Sequence, residues 1–187
     1  DVTFSGEGDF YSNSVKIRPT GSLKDGKLIY NSKKFQAYPE AIGNRLYIKT
    51  NDNAPNSKLM VADKLHPEYK NWKTLIPESS TVMESYAVTK NSIIIQDKKD
   101  IQSRLTIYDL NGKKLRPVPL PEQGSVGGMS YDREEDKLYI SLVTFTSTPK
   151  TYVCSPKDYK WKLFYQRILP VDMSEITGEI KFYISKD

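Results

Sequence analysis

Apolar and polar residues alternate in short runs along this chain, and one run returns three times. Asn44-Arg45-Leu46-Tyr47-Ile48-Lys49 reappears 47 residues on as Asn91-Ser92-Ile93-Ile94-Ile95-Gln96. It reappears 45 residues later as Asp136-Lys137-Leu138-Tyr139-Ile140-Ser141. A second run keeps step at an interval of 46: Lys58-Leu59-Met60-Val61-Ala62-Asp63, Arg104-Leu105-Thr106-Ile107-Tyr108-Asp109 and Lys150-Thr151-Tyr152-Val153-Cys154-Ser155. A third run closes each copy, at 72–76, 114–118 and 161–165, and another apolar segment opens it, at 35–42, 82–88 and 126–131. Short alternating runs of this length are strands, because strand side chains point to opposite faces with period two. Four short strands in about 46 residues is the size of a propeller blade. An irregular β-sandwich with evenly spaced strands is the plainer alternative. The register that three strand positions keep in all copies argues against it.

The punctuation fits the same units, which fall at 35–77, 82–120 and 125–168. Pro77-Glu78-Ser79-Ser80 and Pro119-Leu120-Pro121 interrupt the ladders between units, since proline has no N–H to donate. Asn111-Gly112 between two apolar runs is a hairpin signal. Asn53-Ala54-Pro55-Asn56, Lys98-Lys99-Asp100 and Ser147-Thr148-Pro149 mark the turn between second and third strands. Residues 1–34 read as the end of a preceding blade, with its third strand at 14–18 and its fourth at 27–30. After Ile168 the alternation stops over 169–175, where the residues suit a short turn. It resumes over 179–185 as a last strand.

Composition narrows the class. Of 187 residues, 37% are hydrophobic and 13 are Tyr. Mean hydropathy is −0.59. There is enough chain for a real core, and no apolar stretch is long enough to be a membrane span. The first residues have neither the basic start nor the apolar run of a signal peptide. They also lack an initiator Met, so a chain that has been processed, or cut from a longer one, is expected. The net charge of +5 raises the question of nucleic acid. Lys and Arg are spread through the loops, however, and Lys98-Lys99 and Lys113-Lys114 sit beside Asp97, Asp100 and Asp109. A solvated surface of mixed sign is the better reading.

Candidate chemistry is sparse. Cys154, the only cysteine, has no partner for an internal disulfide. It falls on a predicted strand, while the only histidine, His66, falls in a polar loop before Pro67. A nucleophilic pair would need them together. Gly124-Ser125-Val126-Gly127-Gly128 lacks the Lys-Ser/Thr of a P-loop and the Gly-x-Ser-x-Gly of a nucleophile elbow. Its glycines suit an innermost propeller strand crowded around the axis. No residue is assigned a catalytic, cofactor-binding or metal-ligating role.

Six segments, in order over about residues 44–187, resemble the prolyl oligopeptidase family. They are Thr50-Asn51-Asp52-Asn53-Ala54-Pro55, Trp72-Lys73-Thr74-Leu75-Ile76-Pro77-Glu78, Asp109-Leu110-Asn111-Gly112, Gly124-Ser125-Val126-Gly127-Gly128, Phe145-Thr146-Ser147 with Pro149 and Tyr152, and Tyr183-Ile184-Ser185-Lys186-Asp187. The resemblance implies an all-β chain: a β-propeller fragment of about three and a half four-stranded blades from a seven-bladed propeller. It implies that 169–187 lead toward an α/β-hydrolase domain of the same polypeptide, which holds the Ser, Asp and His of a serine endopeptidase. The propeller would cap that active site, admit short proline-containing peptides and exclude folded proteins. Cleavage would follow proline. No position here matches the family's catalytic motifs, so the chain alone is expected to be inactive, without cofactor, nucleic-acid or membrane partners. Three and a half blades cannot close a ring, so self-association through exposed edges and faces is expected. A free-standing propeller that binds a protein or peptide is the alternative, because propellers host many functions.

Overall fold

A computed structural model of the chain describes residues 1–144, 146–168, 181 and 184. Among them are fifteen strands in four antiparallel sheets. The first sheet is β1 (Val2–Ser5), β2 (Ser14–Pro19) and β3 (Lys27–Asn31). The second is β4 (Ala37–Ile42), β5 (Arg45–Thr50), β6 (Lys58–Asp63) and β7 (Lys73–Ile76). The third is β8 (Val82–Val88), β9 (Ile93–Lys99), β10 (Gln102–Tyr108) and β11 (Lys114–Val118). The fourth is β12 (Ser125–Asp132), β13 (Lys137–Val143), β14 (Lys150–Cys154) and β15 (Lys162–Gln166). A one-turn 3-10 helix, Tyr69–Asn71, precedes β7. Within each sheet every strand pairs with the next in sequence, so every sheet is a meander.

The repeated apolar runs explain how the sheets stack. In β5, Leu46 and Ile48 pack toward the first sheet, in one cluster with Val15, Ile17 and Ile29. Tyr47, between them, points the other way and joins Ile93 and Ile95 of the third sheet. One repeat later, Ile94 faces the fourth sheet and meets Leu138, Ile140 and Leu142. Each central strand is thus apolar on both faces, which is why its run reads as nearly continuous rather than alternating. The core is three clusters, one at each joint between successive sheets.

Three details differ from the sequence reading. Residues 1–34 hold three strands, not two: β1 pairs β2 from Val2↔Pro19 to Ser5↔Lys16. Of its four residues only Val2 and Phe4 are partly buried, too short a pattern to stand out. The turn placed at 98–100 narrows, because β9 runs through Lys99 and Asp100 takes a positive φ of 56°. Among the described residues Gly127 and Gly128 are not crowded: a Cβ on Gly128 would meet nothing within 4 Å, and one on Gly127 would make only ordinary contacts. A β-bulge between Val126 and Gly128 occupies this stretch instead. Phe145, the turn read at 169–175 and the strand read at 179–185 fall on or run into positions outside the described residues.

Candidate functional site

Antiparallel order divides the loops between two rims. One rim carries the turns between first and second strands and between third and fourth strands. The other carries the second-to-third turns and the links from sheet to sheet. The first strands approach one another on one side of the stack, β8 against β12.

On the linking rim every joint is sewn by hydrogen bonds. Asn13 acts as a miniature strand: its Nδ2 donates to Ala37 O at 2.8 Å and its Oδ1 accepts from Ala37 N at 2.9 Å. At the next joint Met83 N donates to Asn56 O at 2.8 Å, and the Glu78 carboxylate accepts from Asn56 N at 2.5 Å. The Ala-Pro-Asn segment and the Trp-to-Glu segment, 22 residues apart at this contact, therefore meet in space. At the third joint Val126 N donates to Ser103 Oγ at 2.9 Å.

A second set of ties runs along the first strands, at one repeat position. Lys49 Nζ donates to Glu84 O, and Gln96 Nε2 donates to Val126 O at 2.8 Å. Both carbonyls lie at β-bulges, between Met83 and Ser85 in β8 and between Val126 and Gly128 in β12. A bulge leaves a ladder group unpaired, and here the preceding sheet supplies the missing donor. Gln96 is fully engaged: it also donates to the Glu84 carboxylate at 2.8 Å and accepts from Ser85 Oγ at 2.6 Å. Burial lowers the Lys49 pKa, while the Glu84 charge offsets part of that shift.

Beside these ties, residues of three sheets gather around Tyr86. Its hydroxyl donates to Tyr47 O at 3.1 Å. Burial, and then the charge of Glu40, raise its pKa. Glu40 is raised too, first by desolvation, with Tyr86 and Arg133 acting against it. Arg133 reaches back from the fourth sheet to Val88 O at 2.9 Å. These groups fix the spacing of three sheets but present no activated nucleophile.

Cys154 and His66 are not brought together. Cys154 is buried in the core between the third and fourth sheets, where burial and then Asp158 push its thiol up to about 12. A thiol held protonated is a packing group, not a nucleophile. His66 is exposed in the loop between β6 and β7 of the second sheet. Among the described residues no group of three or more His, Cys, Asp or Glu could hold a metal ion. The ties are what sequence reasoning missed. Lys49, Gln96 and Ser141 occupy one repeat position, and its recurring polarity beside an apolar run was the available signal.

Four-stranded meanders stacked face to face, with their first strands gathered on one side, are blades of a β-propeller. Residues 15–167 match the prolyl oligopeptidase N-terminal beta-propeller domain. The chain belongs to this family. It is 27% identical over 145 residues to a prolyl endopeptidase of Elizabethkingia miricola, covering 78% of this chain and 20% of that protein. It is 32% identical over 126 residues to a prolyl endopeptidase of Dictyostelium discoideum, covering 65% and 15%. A structure from a mechanistic analysis of two prolyl endopeptidases superposes with a TM-score of 0.81 at 24% identity, over 92% of this chain and 26% of that one. Apo prolyl oligopeptidase B from Galerina marginata gives 0.74 at 16% identity, over 92% and 26%. The chain thus spans about a fifth of the length of the first two curated relatives that it matches.

Proposed function

We propose that this chain is the non-catalytic propeller wall of a prolyl-oligopeptidase-type serine peptidase. It caps an α/β-hydrolase domain of the same polypeptide and limits entry to short proline-containing peptides. The observation that carries this reading is the run of tied joints. A barrier that sorts substrates by size must not part between its blades. Here each joint combines an apolar cluster with side-chain bonds to the neighbouring sheet's backbone. Catalysis belongs to the hydrolase domain in this reading, consistent with the protonated, buried thiol and the distant histidine.

The test is cleavage by the longer polypeptide of a short chromogenic peptide with proline before the scissile bond, of a long unfolded peptide and of a folded protein. The short substrate should be cut, the folded protein should resist, and the isolated chain should cut neither. A longer polypeptide without peptidase activity would sink the reading. Equal cleavage of the folded protein would remove the capping role and leave only the family assignment.

A further inference from the structure

The fold fills the turn rim of two of its joints with aromatic side chains from the later sheet. Between the first and second sheets, Trp72, at the end of the loop before β7, stacks on Tyr30 with centroids 5.3 Å apart and planes at 15°. Between the third and fourth, Tyr159, from the loop before β15, is buried. Its hydroxyl lies 3.1 Å from Ser92 Oγ, and the Arg116 guanidinium covers its ring at 5.4 Å.

Among the described residues the joint between the second and third sheets has no such plug. There the loop before β11 is the tight Asp109-Leu110-Asn111-Gly112-Lys113 turn. Gly112 has φ of 84°, and a Cβ on it would lie 2.0 Å from Leu75 O, so the turn presses on β7 with no side chain at that point. What remains beside it is a crevice of about 690 Å³. Val61, Leu75 and Leu110 give it apolar walls, and Arg45, Lys70 and Lys73 set three cations around it against the single carboxylate of Asp63. That carboxylate already accepts from Leu65 N at 2.8 Å. Among the described residues the Arg45 guanidinium makes one hydrogen bond, to Leu110 O at 3.2 Å. Among the described residues the Lys73 ammonium makes no hydrogen bond or ion pair.

We propose that this crevice binds an aromatic ring bearing a carboxylate, in the slot that Tyr159 fills one joint further on. The ring lies against the apolar walls, and the carboxylate meets Lys73 and Arg45. Two sources present this chemistry: a free aromatic acid and the C-terminal aromatic residue of a peptide. The site does not depend on the peptidase reading, and its test needs no activity.

The experiment is a two-dimensional amide NMR titration of the 187-residue chain with 4-hydroxyphenylacetate, with its neutral amide as control, and with a short peptide ending in free tyrosine. Saturating shifts are expected at Arg45, His66, Lys73, Leu110 and Asn111. The neutral amide should bind about tenfold more weakly, since charge-assisted bonds are roughly twice as strong as neutral ones. Lys73→Ala should weaken the acid about fivefold, and Lys58→Ala, on the opposite rim, should not. Tighter binding of the peptide assigns the site to peptide C-termini, and tighter binding of the acid assigns it to small molecules. Shifts that fail to saturate, that spread evenly over surface lysines, or that are equal for acid and amide overturn the proposal.

Discussion

The second and third sheets bury the face they turn toward the following sheet, whereas the fourth sheet leaves the same face open. Tyr47 and Ile94 are 4% and 0% exposed, and Tyr139, at the same repeat position, is only half-buried. Ile76 and Val118, paired with Leu59 and Leu105, are 2% and 4% exposed. Tyr165, paired with Thr151 in the same register, is 61% exposed. Phe164 is exposed beside it, edge-on to Tyr139. The outer face of the first sheet is unlike either: Thr3, Ser5, Lys16 and Arg18 alternate there with the inward Val2, Phe4, Val15 and Ile17. Strand register is therefore a property of each repeat, but burial is supplied by the neighbour. The stack has one polar end and one aromatic end.

The comparison breaks most visibly under truncation. Ile94→Ala should cost ~2–5 kcal/mol, the range for a buried Ile whose site cannot collapse. Tyr139→Ala should cost about 1 kcal/mol or less, since little of its contact area is lost. Urea midpoints measure both. Equal losses would mean that the open face is covered in solution, as self-association through it would do. A finer distinction lies in the ties. Gln96→Leu leaves Val126 O and Ser85 Oγ without their partner and should cost ~1–3 kcal/mol. Ser141→Ala, at the same position of the fourth sheet, should stay within ~0.5 kcal/mol. Hydrogen exchange of the β12 amides should rise in the first variant alone.

The smallest effect at accessible pH concerns the thiol under the closed joint. Cys154 ionises near 12 in the folded chain against an ordinary 9.0. A group whose pKa is raised by folding stabilises the protein below its unfolded pKa. That contribution disappears as pH climbs from about 9 toward 12, at up to ~1.4 kcal/mol per pH unit. Cys154→Val should remove that part of the slope. Urea midpoints of the two proteins at pH 8, 9 and 10 should diverge upward in pH, and parallel curves would show that the thiol is not held protonated.

The repeat made the fold readable because blade strands are local objects. Alternation placed β6, β8 and β11 to the residue, and Asn111-Gly112 gave its hairpin from turn chemistry alone. β1 escaped because four residues carry too little pattern. The bulge at Gly127 and Gly128 was not legible because a glycine says only that a side chain is missing, and the bulge needs the partner strand to be seen. The ties were hidden for a related reason. Lys49 and Gln96 differ in charge and length, yet both deliver one N–H to a bulged carbonyl of the next sheet. That equivalence exists only between sheets. The crevice at Arg45 and Lys73 was equally invisible, since it comes from the shortness of a loop in the neighbouring repeat.

The Asn111-Gly112 turn also sets how the molecule ages. An Asn-Gly pair in an open chain closes readily to a succinimide, because the unhindered glycine nitrogen attacks the side-chain amide. In the folded turn that nitrogen donates to Asp109 O at 3.1 Å, while Asp109 Oδ1 accepts from Asn111 N and Lys113 N at 2.9 Å each. The lattice of bonds holds the attacking atom on another acceptor. Deamidation at Asn111 therefore reports time spent unfolded, a chemical record written at the wall of the one joint left without an aromatic plug.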